Sequence, residues 1–89
     1  MILLKNFMEE LVFSKVDEYL KANQDLCQCE RCRLDICAIV LNSFPPKYIV
    51  SDKGEAYSRL AALNSQFKVD LVTAIIQAAN EVKKNPRHS

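Results

Sequence analysis

All four cysteines of this chain fall between Cys27 and Cys37, in the stretch CQCERCRLDIC. A chain of 89 residues lies at the small end of what folds alone, and chains of that size often add a metal, disulfides or a partner subunit as a staple. The spacing C-x-C-x2-C-x4-C therefore dominates what this chain can become. In a cytosolic setting disulfides are rare, so the cluster reads as a metal site more readily than as a disulfide framework. Zinc prefers four thiolate or imidazole ligands in a tetrahedron, and Cys27, Cys29 and Cys32 sit in or beside a loop that can wrap one. Cys37 fits less well. If a helix has begun by Cys32, a residue five positions on points about 140° round the axis and roughly 7.5 Å further along. It suits a helix–helix core as a small buried hydrophobe. The fourth ligand is then either Cys37 or His88, the single histidine, carried back by the last helix; a terminal histidine is otherwise ordinarily solvated. The competing use of the three thiols is redox chemistry.

The rest of the chain reads as helix. One glycine, three prolines and 49% apolar residues mark a compact, mostly helical single domain over residues 1–89. Leu4, Met8, Leu11, Val12, Val16, Tyr19 and Leu20 recur at three- and four-residue steps, predicting an amphipathic helix from about Ile2 to Lys21. Residues 22–31 read as loop. A second helix is expected from Cys32 or Arg33 to Ser43, with Leu34, Ala38, Leu41 and Phe44 inward, stopped by Pro45-Pro46. PPKYIVSDKG is a connector in which Ile49 and Val50 suit a short strand with no obvious partner. Asp52 and Glu55 form a capping-box-like start for the next helix. From Gly54 to about Lys84 the chain is one long helix or two with a break near Asn64-Ser65. Tyr57, Leu60, Asn64, Phe67, Leu71, Ile75, Ala78 and Val82 form one stripe; Val69, Val72, Ile76 and Ala79 form a second, offset one. A helix apolar on two sides wants two partners, its own core and a second subunit.

Composition narrows the function. The formal net charge is +1, which gives no general attraction to DNA or acidic membranes, and no helix-turn-helix spacing is visible. No apolar run is long enough to cross a bilayer, and MILLKNFMEELVF does not read as a signal peptide, so a cytoplasmic location is expected. A single histidine, at the tail, and no nucleophile with a recognisable base beside it speak against an enzyme.

The residues Cys27, Cys29, Cys32, Asp35, Ile36, Ala38, Leu41, Asn42, Phe44, Pro45, Pro46, Lys47, Tyr48, Lys53 and Gly54 form the pattern C-x-C-x-x-C-x-x-D-[IV]-x-A-x-x-L-N-x-[LF]-P-P-[KR]-Y followed by K-G. With a long helix and NPRH after it, this resembles the late competence development protein ComFB family over nearly the whole chain. The resemblance implies an all-α fold of three to four helices with a zinc-stapled cysteine loop, assembled as a symmetric homodimer. It implies structural zinc held by Cys27, Cys29 and Cys32 with a further ligand near the C-terminus, where His88 falls; position 37 is not part of the family's cysteine pattern. It also implies a receptor for the second messengers cyclic di-GMP and, in some members, cyclic di-AMP, linked by family to competence and type IV pilus-type regulation through an unknown downstream protein.

A cyclic dinucleotide needs cations for phosphate, flat groups for stacking and polar side chains for base edges. Arg31, Arg33, Asp35, Asn42, Lys47, Tyr48 and Lys53 are the candidates, Lys53 standing at an expected helix N-terminus that favours anions. Each has an ordinary alternative: Asp35 capping or pairing with Arg31, Asn42 capping the second helix, Tyr48 packing its ring, and the lysines solvated. The alternative function is a non-catalytic adaptor whose zinc-stabilised dimer recruits a protein partner; a thiol redox sensor is the third.

Overall fold

The computed structural model describes residues 2–50 and 64–85. Three helices and a small sheet make up this part: strand β1 (Leu4–Asn6), helix α1 (Phe7–Ala22), helix α2 (Glu30–Asn42), strand β2 (Tyr48–Val50) and helix α3 (Ser65–Lys84). Expectations placed on Asp52, Lys53, Gly54, Glu55, Tyr57, Leu60 and His88 lie outside the described residues.

The all-α expectation is corrected by the sheet. Leu4, Lys5 and Asn6 pair antiparallel with Val50, Ile49 and Tyr48. The first helix starts at Phe7, not near Ile2, because Asn6 takes an extended backbone and caps it. Asn6 Oδ1 accepts from the Met8 N–H at 3.1 Å and also from the Lys47 N–H at 2.8 Å. The Phe7 N–H donates to the Lys47 carbonyl at 2.7 Å. One side chain thus ends the strand, starts the helix and anchors the entry to β2. Ile49 is buried while Tyr48 and Val50 are exposed, the alternation of a half-covered strand.

The core is built from one stripe per helix: Met8, Val12, Val16 and Leu20 of α1; Cys32, Ile36, Cys37 and Val40 of α2; Leu71, Ile75, Ala78, Ala79 and Val82 of α3. Of the expected α1 stripe, Leu11 and Tyr19 are half-buried at its margin, and Leu4 lies exposed on the sheet. On α2 the inward face differs from expectation: Leu34 and Ala38 are not in the core, and Leu41 and Phe44 are half-buried. Counting the two cysteines as apolar rotates the stripe onto 32, 36, 37 and 40. α2 starts at Glu30, earlier than expected, and ends at Asn42.

Asn64 excludes a single helix running through it to Lys84. Its side chain accepts from the N–H groups of Gln66 at 2.9 Å and Phe67 at 3.2 Å, so α3 begins at Ser65. Lys83 and Lys84 occupy the last turn, where cations complement the helix dipole. α2 packs against both other helices. Beyond its end, the Phe44 ring stacks on Phe67 of α3 with centroids 5.9 Å apart. Of the second α3 stripe, Val69, Val72 and Ile76 are exposed, while Ala79 is buried in the chain's own core.

Candidate metal centre

Two helix ends and a clamp of side-chain amides position the cysteine loop. α1 ends at Asn23, whose side-chain amide donates to the Tyr19 carbonyl at 2.8 Å and whose own carbonyl accepts from the Leu26 N–H at 3.0 Å. Gln28, between two cysteines, sends its amide back to the carbonyls of Leu20, Asn23 and Leu26 at 3.0, 3.3 and 3.1 Å. These contacts add a second donor at the Leu20 and Asn23 carbonyls around the end of α1 and bind the loop carbonyl of Leu26. They hold residue 28 toward α1 and leave its neighbours Cys27 and Cys29 to be presented together.

Cys29 is the N-cap of α2. Its sulfur accepts from the Cys32 N–H at 3.4 Å. Cys32, in the first turn, points into the core and is 2% exposed; Cys29 is half-buried and Cys27 exposed. The three sulfurs lie within 4.8 Å of one another, the one such cluster of possible metal ligands among the described residues. A zinc ion about 2.3 Å from each sulfur of a tetrahedron would set the sulfurs about 3.8 Å apart. Small side-chain rotations cover that difference, so the donor set fits a thiophilic ion. Burial pushes the Cys32 thiol up to about 12, and its hydrogen bonds with Cys29 and Cys27 add to the rise. An ion bound here has to displace that proton, so occupancy must fall with acid.

Cys37 does not join the cluster. It is 1% exposed in the core, its thiol pushed up by burial against the opposing pull of Arg33, as its five-residue offset from Cys32 predicts. The cluster borders α3. Cys27, Cys32, Asp25, Ala79, Val82 and Lys83 line a common cleft of about 170 Å³. The described end of the chain, Asn85, is three residues short of His88.

The candidate ligand residues fall in separate places. Arg31 pairs with Asp35 at 3.5 Å, one turn along α2. Arg33 grips Asp17 of α1, with Nη2 3.2 Å from Oδ2, and its guanidinium lies 5.4 Å over the Phe13 ring. That side chain ties α1 to α2. Asp35 and Asn42 share one face of α2 with Ala38 and Ile39, and these four meet Glu81, Val82 and Asn85 around a cleft of about 270 Å³. Lys47, just before β2, and Tyr48, its first residue, are exposed. The sequence pattern did not single out Gln28, Asn6, Glu81 or Asn85. An amide between two cysteines and an asparagine before a helical run are local signals for the first two; only the packing of α3 reveals the others.

Residues 5–86 match the family described as Late competence development protein ComFB. The chain belongs to the ComFB family. It is 25% identical over 84 residues to Competence protein ComFB of Bacillus subtilis (strain 168), covering 94% of this chain and 86% of that protein. The solved structure of the late competence protein ComFB from Bacillus subtilis superposes with a TM-score of 0.78 at 23% identity, covering 96% of this chain and 93% of that one. The shared architecture is thus the ComFB fold. Among the described residues no helix is long and apolar enough to cross a membrane.

Proposed function

We infer that this ComFB-family chain is a small, zinc-stapled homodimeric signalling module, not an enzyme, that binds a cyclic dinucleotide and changes the surface it offers a downstream protein. The observation that carries the metal half is the approach of the Cys27, Cys29 and Cys32 sulfurs to within 4.8 Å at the start of α2. The zinc is structural: with His88 as fourth ligand no position is left for a reactive water, and the ion joins the start of α2 to the segment after α3.

The nucleotide half rests on the family pattern and on the Asp35–Asn42 face. Two carboxylates and two amides around one cleft suit the donor edge of a purine and repel a phosphate. The phosphates need cations, and Lys47 is the exposed candidate outside that cleft, with Arg31 able to serve only on leaving Asp35 and Lys53 beyond the described residues. Arg33, held by Asp17 and Phe13, would have to leave both to serve. The exposed row of Val69, Val72 and Ile76 supplies a face for a second copy.

The test is calorimetric titration of the metal-loaded protein with cyclic di-GMP and then cyclic di-AMP, with zinc content and sedimentation read on the same sample. Saturable heat at a defined ratio to the dimer is the expected result. No heat with zinc bound and the dimer intact would reject the receptor and leave an adaptor, for which the exposed apolar row on α3 is the recruiting surface.

A further inference from the structure

Cys29 and Cys32 stand in an arrangement that does more than hold an ion. The first is the N-cap of α2 and the second lies three residues on, in its first turn. Residues three apart on a helical turn have Cα atoms about 5 Å apart. That is inside the range of roughly 4.4–6.8 Å that a disulfide bridges without moving the backbone. The hydrogen bond from the Cys32 N–H to the Cys29 sulfur holds that sulfur over the turn from which Cys32 departs. The two side chains also differ in access: Cys29 is half-buried and reaches solvent, Cys32 is buried.

We propose that Cys29 and Cys32 are an oxidisable dithiol, a peroxide-sensitive modification site in which the disulfide and the metal exclude one another. The Cys29 thiolate attacks one oxygen of hydrogen peroxide; the O–O bond breaks, Cys29 becomes a sulfenic acid and hydroxide leaves. The Cys32 sulfur then attacks the Cys29 sulfur; the S–S bond forms, the S–O bond breaks, and hydroxide leaves. The protons of the two thiols convert both hydroxides to water. Two thiols are oxidised by two electrons, and one peroxide is reduced to two waters. Burial keeps Cys32 from bulk peroxide, which makes it the resolving group.

The three sulfurs are all near one another, and what singles out one pairing is the helical turn. Cys27 and Cys29 are separated by one residue, Gln28, whose side chain is tied to three carbonyls of α1 and the loop. Cys27 also brings its sulfur within 4.8 Å of Cys32, but it lies outside the helix, so no helical turn fixes its backbone spacing to Cys32. Cys37 is buried apart from the cluster. Closing Cys29 to Cys32 takes away two of the three clustered sulfurs, so an ion held there departs and Cys27 is left as a thiol.

The metal-free chain should cross-link as well, which lets one experiment keep the metal and the disulfide apart. The full-length protein, as purified and after loading with one equivalent of zinc, is treated with hydrogen peroxide and mapped by differential alkylation and mass spectrometry, with a zinc-binding dye following release. A Cys29–Cys32 cross-link with loss of two hydrogens, one zinc released per link in the loaded sample, and reversal by a dithiol reductant are expected. The Cys27→Ser variant should still form the link. A map showing Cys27 in the cross-link, or Cys29 and Cys32 still alkylated after Cys27 is oxidised, would overturn the proposal. A protein that takes up no zinc yet forms the Cys29–Cys32 link would reject the metal reading and with it the mutual exclusion, and would support the dithiol alone.

Discussion

Cys29 illustrates how much one atom carries in a domain this small. Its sulfur caps α2 and stands among the three clustered thiols. Substitution separates these roles. Serine is a better N-cap than a thiol and a poor zinc ligand, so Cys29→Ser should lose the metal and keep the helix start. Cys29→Ala should lose both and, measured in chelator, lie about 1 kcal/mol below the serine variant in denaturant unfolding. Equal stability of the two variants in chelator would show that the cap contributes nothing. Asn6 carries a comparable load through its two accepted hydrogen bonds, one inside α1 and one across to Lys47. Asn6→Ala should cost about 1–2 kcal/mol and loosen the sheet, seen as faster amide exchange at Lys47. Unchanged exchange there would mean the tie to Lys47 is not formed in solution.

At the scale of elements, α3 has two different faces one residue apart. Ile75 is 2% exposed and Ile76 is 40% exposed. Ile75→Ala should destabilise the fold by about 2–5 kcal/mol and leave self-association to follow stability alone. Ile76→Glu should leave the melting temperature of dilute protein nearly unchanged and shift the sedimentation profile toward monomer. An unaltered profile would move the subunit contact off this helix. The α1–α2 tie has its own signature. Arg33 beside Asp17 holds that carboxyl below its ordinary 3.8. A depressed acid contributes stability that is complete above its ordinary value and is lost as pH falls through the lowered one. Asp17→Asn should therefore cost up to about 1 kcal/mol near neutrality, as expected for a solvent-screened pair. The gap from wild type should close as the pH is taken below 3.8; a gap constant into acid would assign the loss to something other than the ion pair.

For the whole molecule, the cysteine loop touches all three described helices. α1 is tied to the loop through Asn23 and Gln28, α2 starts next to Cys29, and the C-terminal part of α3 lines the cleft beside Cys27 and Cys32. Removing the ion with a chelator should lower stability by several kcal/mol, since binding energy at a site absent from the unfolded chain is folding energy. The check is calorimetric melting with and without chelator, and coincident transitions would refute a folding role for the metal. Much of this architecture was legible in the chain itself. The i, i+4 run from Met8 to Leu20, the Leu71–Ile75–Ala78–Val82 stripe, the stop before Pro45 and a helix boundary at Asn64-Ser65 all reappear, because a helical stripe and its caps depend on neighbours within a few residues. The inward face of α2 was misplaced by treating Cys32 only as a ligand, when its side chain is also core.

What the sequence determined by itself was local. It specified roughly where helices run and that three cysteines cluster in one short stretch, since each depends on spacing along a single element; whether Cys37 joins them and which stripe of α3 faces the core were left to packing. Tertiary structure decided whatever joins residues distant in the chain. Leu4–Asn6 reads as a continuation of α1 until Tyr48–Val50 arrives as its partner, and no local pattern signals a pairing across that separation. The same holds for Asp35 and Asn42 meeting Glu81 and Asn85, and for Arg33 spent on Asp17 and Phe13. In each case the candidate's chemistry was visible in the sequence, while its neighbours, and therefore what it is able to bind, were set by how three helices bury their stripes against one another.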